Sequence, residues 1–265
     1  MDDPTHKSII HSLKTRIPSL LSLSSSPPKA ILLLTAHWST PTPTISSASH
    51  HDLLFDYYNF PSSAYQYRYP APGSPEIATQ IHRTMTDLGL DPQLDPDRGW
   101  DHGVFVPLLL AAPDATIPVV QLSVLSSEDP AAHFRLGAAL RALREQNVAV
   151  VGSGFASFHN LRSMFAMMAN PPAPGSPFRI RSDAWNEALR DAVTVKDRAE
   201  RLERLAGWRE FPNAFEMHPR GGGEHFMPLL ACAGAAGDEE AGYYVDELAG
   251  VDIYTYYWGA TELKE

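Results

Sequence analysis

At 265 residues, with 44% apolar and 20% charged residues, the chain has the size and composition of one large globular domain or two small ones. Its formal charge of −10 argues against a nucleic-acid or anionic-membrane surface. One cysteine, Cys232, excludes an internal disulfide framework, and no apolar run reaches the roughly 20 residues of a membrane span. The best N-terminal apolar run, residues 17–23, is broken by Pro18, Ser19 and Ser22, so a secretory signal is not expected. A cytoplasmic protein follows, with its oligomeric state open.

In chain order, residues 8–23 carry Ile9, Ile10, Leu13, Ile17, Leu20 and Leu21 at helical spacing, with Pro18 as an expected interruption. Residues 29–36 form a continuous apolar run of strand length, the pattern of a strand covered on both faces, and lead into His37-Trp38. Residues 44–47 start a further strand. Residues 50–75 are rich in aromatics and proline and read as a long ordered loop. A helix is predicted over 74–88, with Ser74 as N-cap and Pro75 in its first turn. A polar Gly-Trp-Asp-His-Gly cluster then runs into an apolar stretch ending near Ala112. Residues 117–124 read as a strand, 130–146 as an amphipathic helix and 148–151 as a buried strand. That strand stops at Gly152-Ser153-Gly154, small residues suited to a tight turn, and is followed by His159-Asn160. A loop over 170–177, a charged helical region over 182–205, a turn over 218–223, a helix over 224–233 and a closing strand over 253–258 complete the pattern. Strand and helix alternate without repeat or linker. The reading is a single α/β domain, residues 1–265, of three layers with a central mixed sheet.

Histidines stand at the ends of several elements: His37, His50 or His51, His102, His159 and His225. Any one alone reads as an ordinary surface or core ring. As a set converging on one sheet edge with a carboxylate, they are what a non-haem Fe(II) or Zn(II) site requires. His102 and His159 serve equally well as acid–base groups, because imidazole titrates near neutrality. His6, His11, His82 and His133 stay outside the site, and His218 reads either as support or as a turn residue.

Seven short motifs occur in order: Ala36-His37-Trp38, Asp56-Tyr57-Tyr58-Asn59-Phe60-Pro61, Tyr69-Pro70-Ala71-Pro72-Gly73-Ser74-Pro75, Asp101-His102-Gly103, Pro118-Val119-Val120-Gln121-Leu122-Ser123, His159-Asn160-Leu161 and Glu224-His225-Phe226-Met227-Pro228-Leu229. Together they resemble the class III extradiol ring-cleavage dioxygenases of the DOPA-dioxygenase type, over roughly residues 27–258. The resemblance implies a mononuclear metal, Fe(II) in catalysis and Zn(II) in some structures, held mainly by histidines. It also implies a small catechol and dioxygen as the partners, with ring opening beside the diol. By motif, His225 is a metal ligand and His159 a ligand or the adjacent acid–base group. His102 is a proton donor or a substrate partner, and His37, Asp101 and Asn160 belong to the substrate pocket.

Two departures bear on the site. Family members begin with a strand ending in a His-Gly-x-Pro turn whose histidine is a ligand, and this chain shows no such motif. Many relatives also place a ligand histidine immediately before the aspartate matched by Asp56, where this chain has Phe55; His50 or His51 is the expected substitute. The absent strand is expected to leave the strand at 29–36 with an open edge. The alternatives are a metal-poor homologue with a binding or regulatory role, and a metal-independent lyase or hydrolase using His102 and His159.

Overall fold

The computed structural model describes residues 4–260; the ends of the predicted 1–265 domain lie outside the described residues. Its spine is β1 (Ala30–Thr40), which pairs in parallel with β4 (Val119–Leu125) on one side and β5 (Val148–Ser153) on the other. Two short strands, β2 (Thr44–Ser46) and β3 (Gln93–Asp95), extend the sheet beyond β4, giving the order β3-β2-β4-β1-β5. The β2/β4 contact is antiparallel and the others are parallel, so the sheet is mixed, as expected.

Alternation along β1 sorts its side chains between two helical layers. Ile31 and Leu33 pack with Val104, Phe105 and Leu108 of α3 (His102–Ala111), and Leu21, beyond the end of α1 (Lys7–Leu20), joins them. Leu32 and Leu34 face α2 (Pro75–Asp87), α4 (Pro130–Arg144) and α9 (Met227–Ala235). A strand buried on both faces must be apolar throughout, which is why the 29–36 run was legible. A third cluster, built on Trp185, Trp208 and Phe226, joins α5 (Leu161–Ala169), α6 (Pro177–Val193), α7 (Arg198–Ala206) and the short α8 (Ala214–Met217) to a hairpin of β6 (Gly242–Leu248) and β7 (Val251–Tyr257). This is an α/β domain of three layers.

Several expectations are corrected. Pro18 does not interrupt α1; it falls in the last turn, where the missing donor removes one bond near the end of the helix. The charged region at 182–205 is two helices, parted where Asp197 caps α7 by accepting from Glu200 N at 2.8 Å. The strand at 253–258 closes no central sheet; it pairs with β6, which the sequence reading missed. The open edge is not on the 29–36 strand either, because β1 is flanked on both sides. It belongs to β5.

That edge faces a groove of about 230 Å³, lined by Val150, Val151 and Gly152 of β5, by Tyr254 to Tyr257 of β7, and by α1 and α9. Tyr256 Oη and Trp258 Nε1 are buried along it without a hydrogen-bond partner. α1 is held onto the hairpin by Asp246, a buried carboxylate on β6 that accepts from Ser8 Oγ and Ser12 Oγ, both at 2.7 Å.

Candidate active site

The site is assembled where β1 leaves regular pairing. Thr35 is paired with Ser123 and Ser39 with Val124, so Ala36, His37 and Trp38 bulge out of the ladder at the carboxyl end of the strand. The bulge aims the His37 ring at the start of α3. There Gly103 matters for its missing side chain: a Cβ would stand 2.9 Å from Thr35 Oγ1 and 3.0 Å from His37 Nδ1. Asp101, fully buried, caps α3 by accepting from Gly103 N at 3.0 Å, and it also accepts from Thr35 Oγ1, Gln121 Nε2 and Arg98 Nη2. It was expected in the substrate pocket; with its oxygens spent on four donors it lies beneath the pocket and braces it.

The small residues Gly152 and Gly154 suit a tight turn that draws on backbone freedom. Neither has a positive φ; what they supply is close approach. A Cβ on Gly154 would collide with His225 O, and one on Gly152 with Pro228 O. The α9 entry therefore packs against the end of β5 and brings His225 to His159. The turn ahead of it is tied down. Glu128 accepts from Gly223 N at 3.1 Å and from Arg209 Nη2 at 3.2 Å, and Arg209 donates to His218 O at 2.6 Å. His218 is fully buried, with Nε2 donating to Ala156 O at 2.8 Å.

Four of the predicted histidines converge. The rings of His159 and His225 stack with centroids 3.3 Å apart, His37 and His102 with centroids 4.0 Å apart, and His37 lies 5.0 Å from His225. Two carboxylates that the sequence reading did not assign to the site complete two groups. In one, His37, Asp56 and His102 offer ligand atoms within 4.8 Å of one another; in the other, His159, Glu224 and His225 do the same. Each is a two-histidine, one-carboxylate set, the donor combination of many non-haem iron sites. Glu224 stood next to His225 in the sequence, while Asp56 was visible only as part of a loop motif.

The remaining candidates lie apart. His50 is exposed and its Nδ1 meets Ser49 Oγ; His51 donates Nδ1–H to Arg98 O at 2.9 Å and packs on Trp100, so neither belongs to the two groups. Asn160 is the N-cap of α5, accepting from Ser163 N and donating to Glu216 O. Phe55 packs edge-on against Tyr57 and Phe105, an apolar wall with no donor for a metal.

Burial decides the charge state of the inner group. It lowers the His159 pKa to about 4, helped by His37, and it lowers that of His225 further, with His159 and His37 adding to the effect. Both rings are therefore neutral at pH 7, the form that binds metals. Burial also raises the Glu224 pKa. At Asp56 burial pushes upward, but the hydrogen bonds from His102 outweigh it and the net shift is downward. Asp56 Oδ1 accepts from both His102 N at 3.0 Å and His102 Nδ1 at 2.7 Å. An ionised carboxylate can only accept, so His102 carries its proton on Nδ1 and leaves Nε2 free.

Residues 1–257 match the family described as the catalytic LigB subunit of aromatic ring-opening dioxygenase. The chain belongs to the LigB family. It is 55% identical to Dioxygenase tasH of Hapsidospora irregularis over 271 residues, covering all of this chain and 82% of that one. It is 37% identical to the 4,5-DOPA dioxygenase extradiol of Beta vulgaris over 217 residues, 81% of this chain and 75% of the relative. A crystal structure of an uncharacterized protein from Escherichia coli K12 superposes with a TM-score of 0.70 at 27% identity, over 92% of this chain and 91% of that one. The LigB chain described here is an extradiol, aromatic ring-opening dioxygenase. LigB dioxygenases use a non-haem metal, and among the described residues no helix is long and apolar enough to cross a membrane.

Proposed function

We propose that the substrate is a small catechol, that the metal is Fe(II), with Zn(II) able to occupy the same donors, and that His159, Glu224 and His225 hold it. The observation that carries this reading is His225 Nδ1, a buried nitrogen without a hydrogen-bond partner in a group whose ligand atoms lie within 4.8 Å. Leaving such an atom unpaired costs roughly 1–3 kcal/mol, a cost that coordination removes. A ferrous ion held by these residues would supply Lewis acidity and redox chemistry.

The chain's own groups handle the protons. With Nδ1–H committed to Asp56, His102 Nε2 accepts the proton that leaves a phenol and returns it to a product oxygen. The wall of Phe55, Tyr57 and Phe105 keeps water from one flank of the pocket and suits an aromatic ring. Location in the cytoplasm belongs to the same proposal, since a single thiol and an Fe(II) site both suit a reducing compartment.

A further ligand-bearing strand is the second part of the reading. What supports it is the groove between β5 and β7, two strand edges with His225 among the lining residues. Metal analysis of the purified protein, coupled to oxygen uptake on a panel of catechols, tests the assignment. No uptake with any catechol from metal-loaded protein would overturn it in favour of a binding role.

A further inference from the structure

The second two-histidine, one-carboxylate group is not needed to hold the metal proposed above, and it has its own unexplained atom. His37 Nδ1 is buried and has no hydrogen-bond partner, although two carboxylates face it. Asp56 Oδ2 stands 3.5 Å away and Asp101 Oδ1 3.7 Å away. These separations are long for hydrogen bonds. They are near the spacing of two ligands on one ion, about 3.0–3.4 Å for bonds of about 2.1 Å at tetrahedral to octahedral angles. Asp101 is already saturated by four donors, so the open oxygen is on Asp56. His102 supplies the third donor, and all three ligand atoms lie within 4.8 Å. The side chains of His37, Asp56 and His102 retain 20%, 23% and 36% of their exposure, so an ion can reach them from solvent.

We propose that His37, Asp56 and His102 form a second divalent-cation site, for Zn(II) or a similar first-row ion, and that filling it inhibits turnover. Binding through Nδ1 moves the ring's one proton from Nδ1 to Nε2 and ends the Nδ1 hydrogen bond to Asp56, so Nε2 has no lone pair left to take a proton. His102 is then unable to exchange protons with the substrate. The cation site stands on geometry alone; its inhibitory consequence rests on the acid–base role given to His102.

The test is Co(II) titration of the metal-free full chain, read by visible absorption and by equilibrium dialysis. Wild type should bind two equivalents. His37→Gln and Asp56→Asn should each lose one and keep the other, and His225→Gln should show the converse loss. Asp56→Asn retains an acceptor for His102 N, and thermal melts on each variant verify folding. A single wild-type equivalent that His225→Gln abolishes would overturn the second site. So would two equivalents persisting at unchanged affinity in both His37→Gln and Asp56→Asn. A single equivalent lost only in the His37 and Asp56 variants would instead support this site and overturn the assignment to His225. With the cation site established, Zn(II) beyond one equivalent should slow wild-type turnover at least tenfold; turnover undiminished at two equivalents would overturn the inhibitory role.

Discussion

The imidazoles of His159 and His225 stack with centroids 3.3 Å apart and planes within 13° of parallel. Two imidazolium ions would not tolerate that contact, whereas two neutral rings do, and burial keeps both neutral. One ligand atom of each ring lies, with a Glu224 oxygen, within 4.8 Å of the others. His225→Gln should weaken metal binding by at least ~10–100-fold, the size of effect seen when even supporting groups are lost. His159→Ala, which removes a metal donor, should cost at least ~10–100-fold in turnover with little change in the melting temperature of the metal-free protein. Calorimetric titration and an oxygen electrode, on the same preparations, read both. Wild-type turnover in His159→Ala would remove it from the mechanism.

Acid should destabilise the metal-free protein. Burial lowers the His218 pKa to about 3, and it lowers that of His133 as well. Above about pH 6.5 these rings are neutral both folded and unfolded, and pH has no effect through them. Below it the unfolded chain takes up protons that the folded chain refuses, so stability falls as pH falls. The slope is at most about 1.4 kcal/mol per pH unit for each such histidine, and for His218 it persists until about pH 3. Urea unfolding at intervals from pH 7.5 to 4.5 measures it. His218→Phe, which keeps a ring among Trp185, Trp208 and Phe226, should flatten the slope by about one histidine's worth.

The contact of α4 with α9 should resist enlargement. Gly137 lies against the backbone of Ala231, and Gly234 against that of Phe134, so a methyl at either position meets main chain rather than a movable side chain. Gly137→Ala and Gly234→Ala should each cost about 1–3 kcal/mol, although alanine favours an isolated helix. Denaturant midpoints decide, and a stabilised variant would contradict the close approach.

The groove beside β5 should accept a strand. An N-terminal extension or a synthetic peptide of about six alternating residues ending in His-Gly-x-Pro is expected to raise the melting temperature and to tighten Fe(II) binding. Protection of the Val150 and Val151 amides from hydrogen exchange would show pairing at the open edge. An extension that leaves exchange unchanged would count against the proposed strand.

Much of the fold was legible because its signals are local. The apolar runs of β1, β4 and β5 and the Ser74 cap of α2 each lie within a few residues of one another. Histidines at the ends of such elements were expected to share a site, since a strand's end is where side chains leave the core, and His37, His102, His159 and His225 do come together. Tertiary structure alone decided the rest. Asp56 meets His102 across 46 residues, and its loop carries no periodicity to announce it. Asp101 and His102 are neighbours in sequence, yet one is sealed by four donors and the other faces the pocket. Whether Ile253 to Tyr257 would join the main sheet or form a hairpin depended on β6, whose alternating burial places Asp246 inside, a residue that reads as solvent-facing until Ser8 and Ser12 are seen to bond it. Periodicity records which face of an element is covered; only the assembled chain shows what covers it, because a hydrogen bond or a shared ligand site depends on distance in space and leaves no repeat in the sequence.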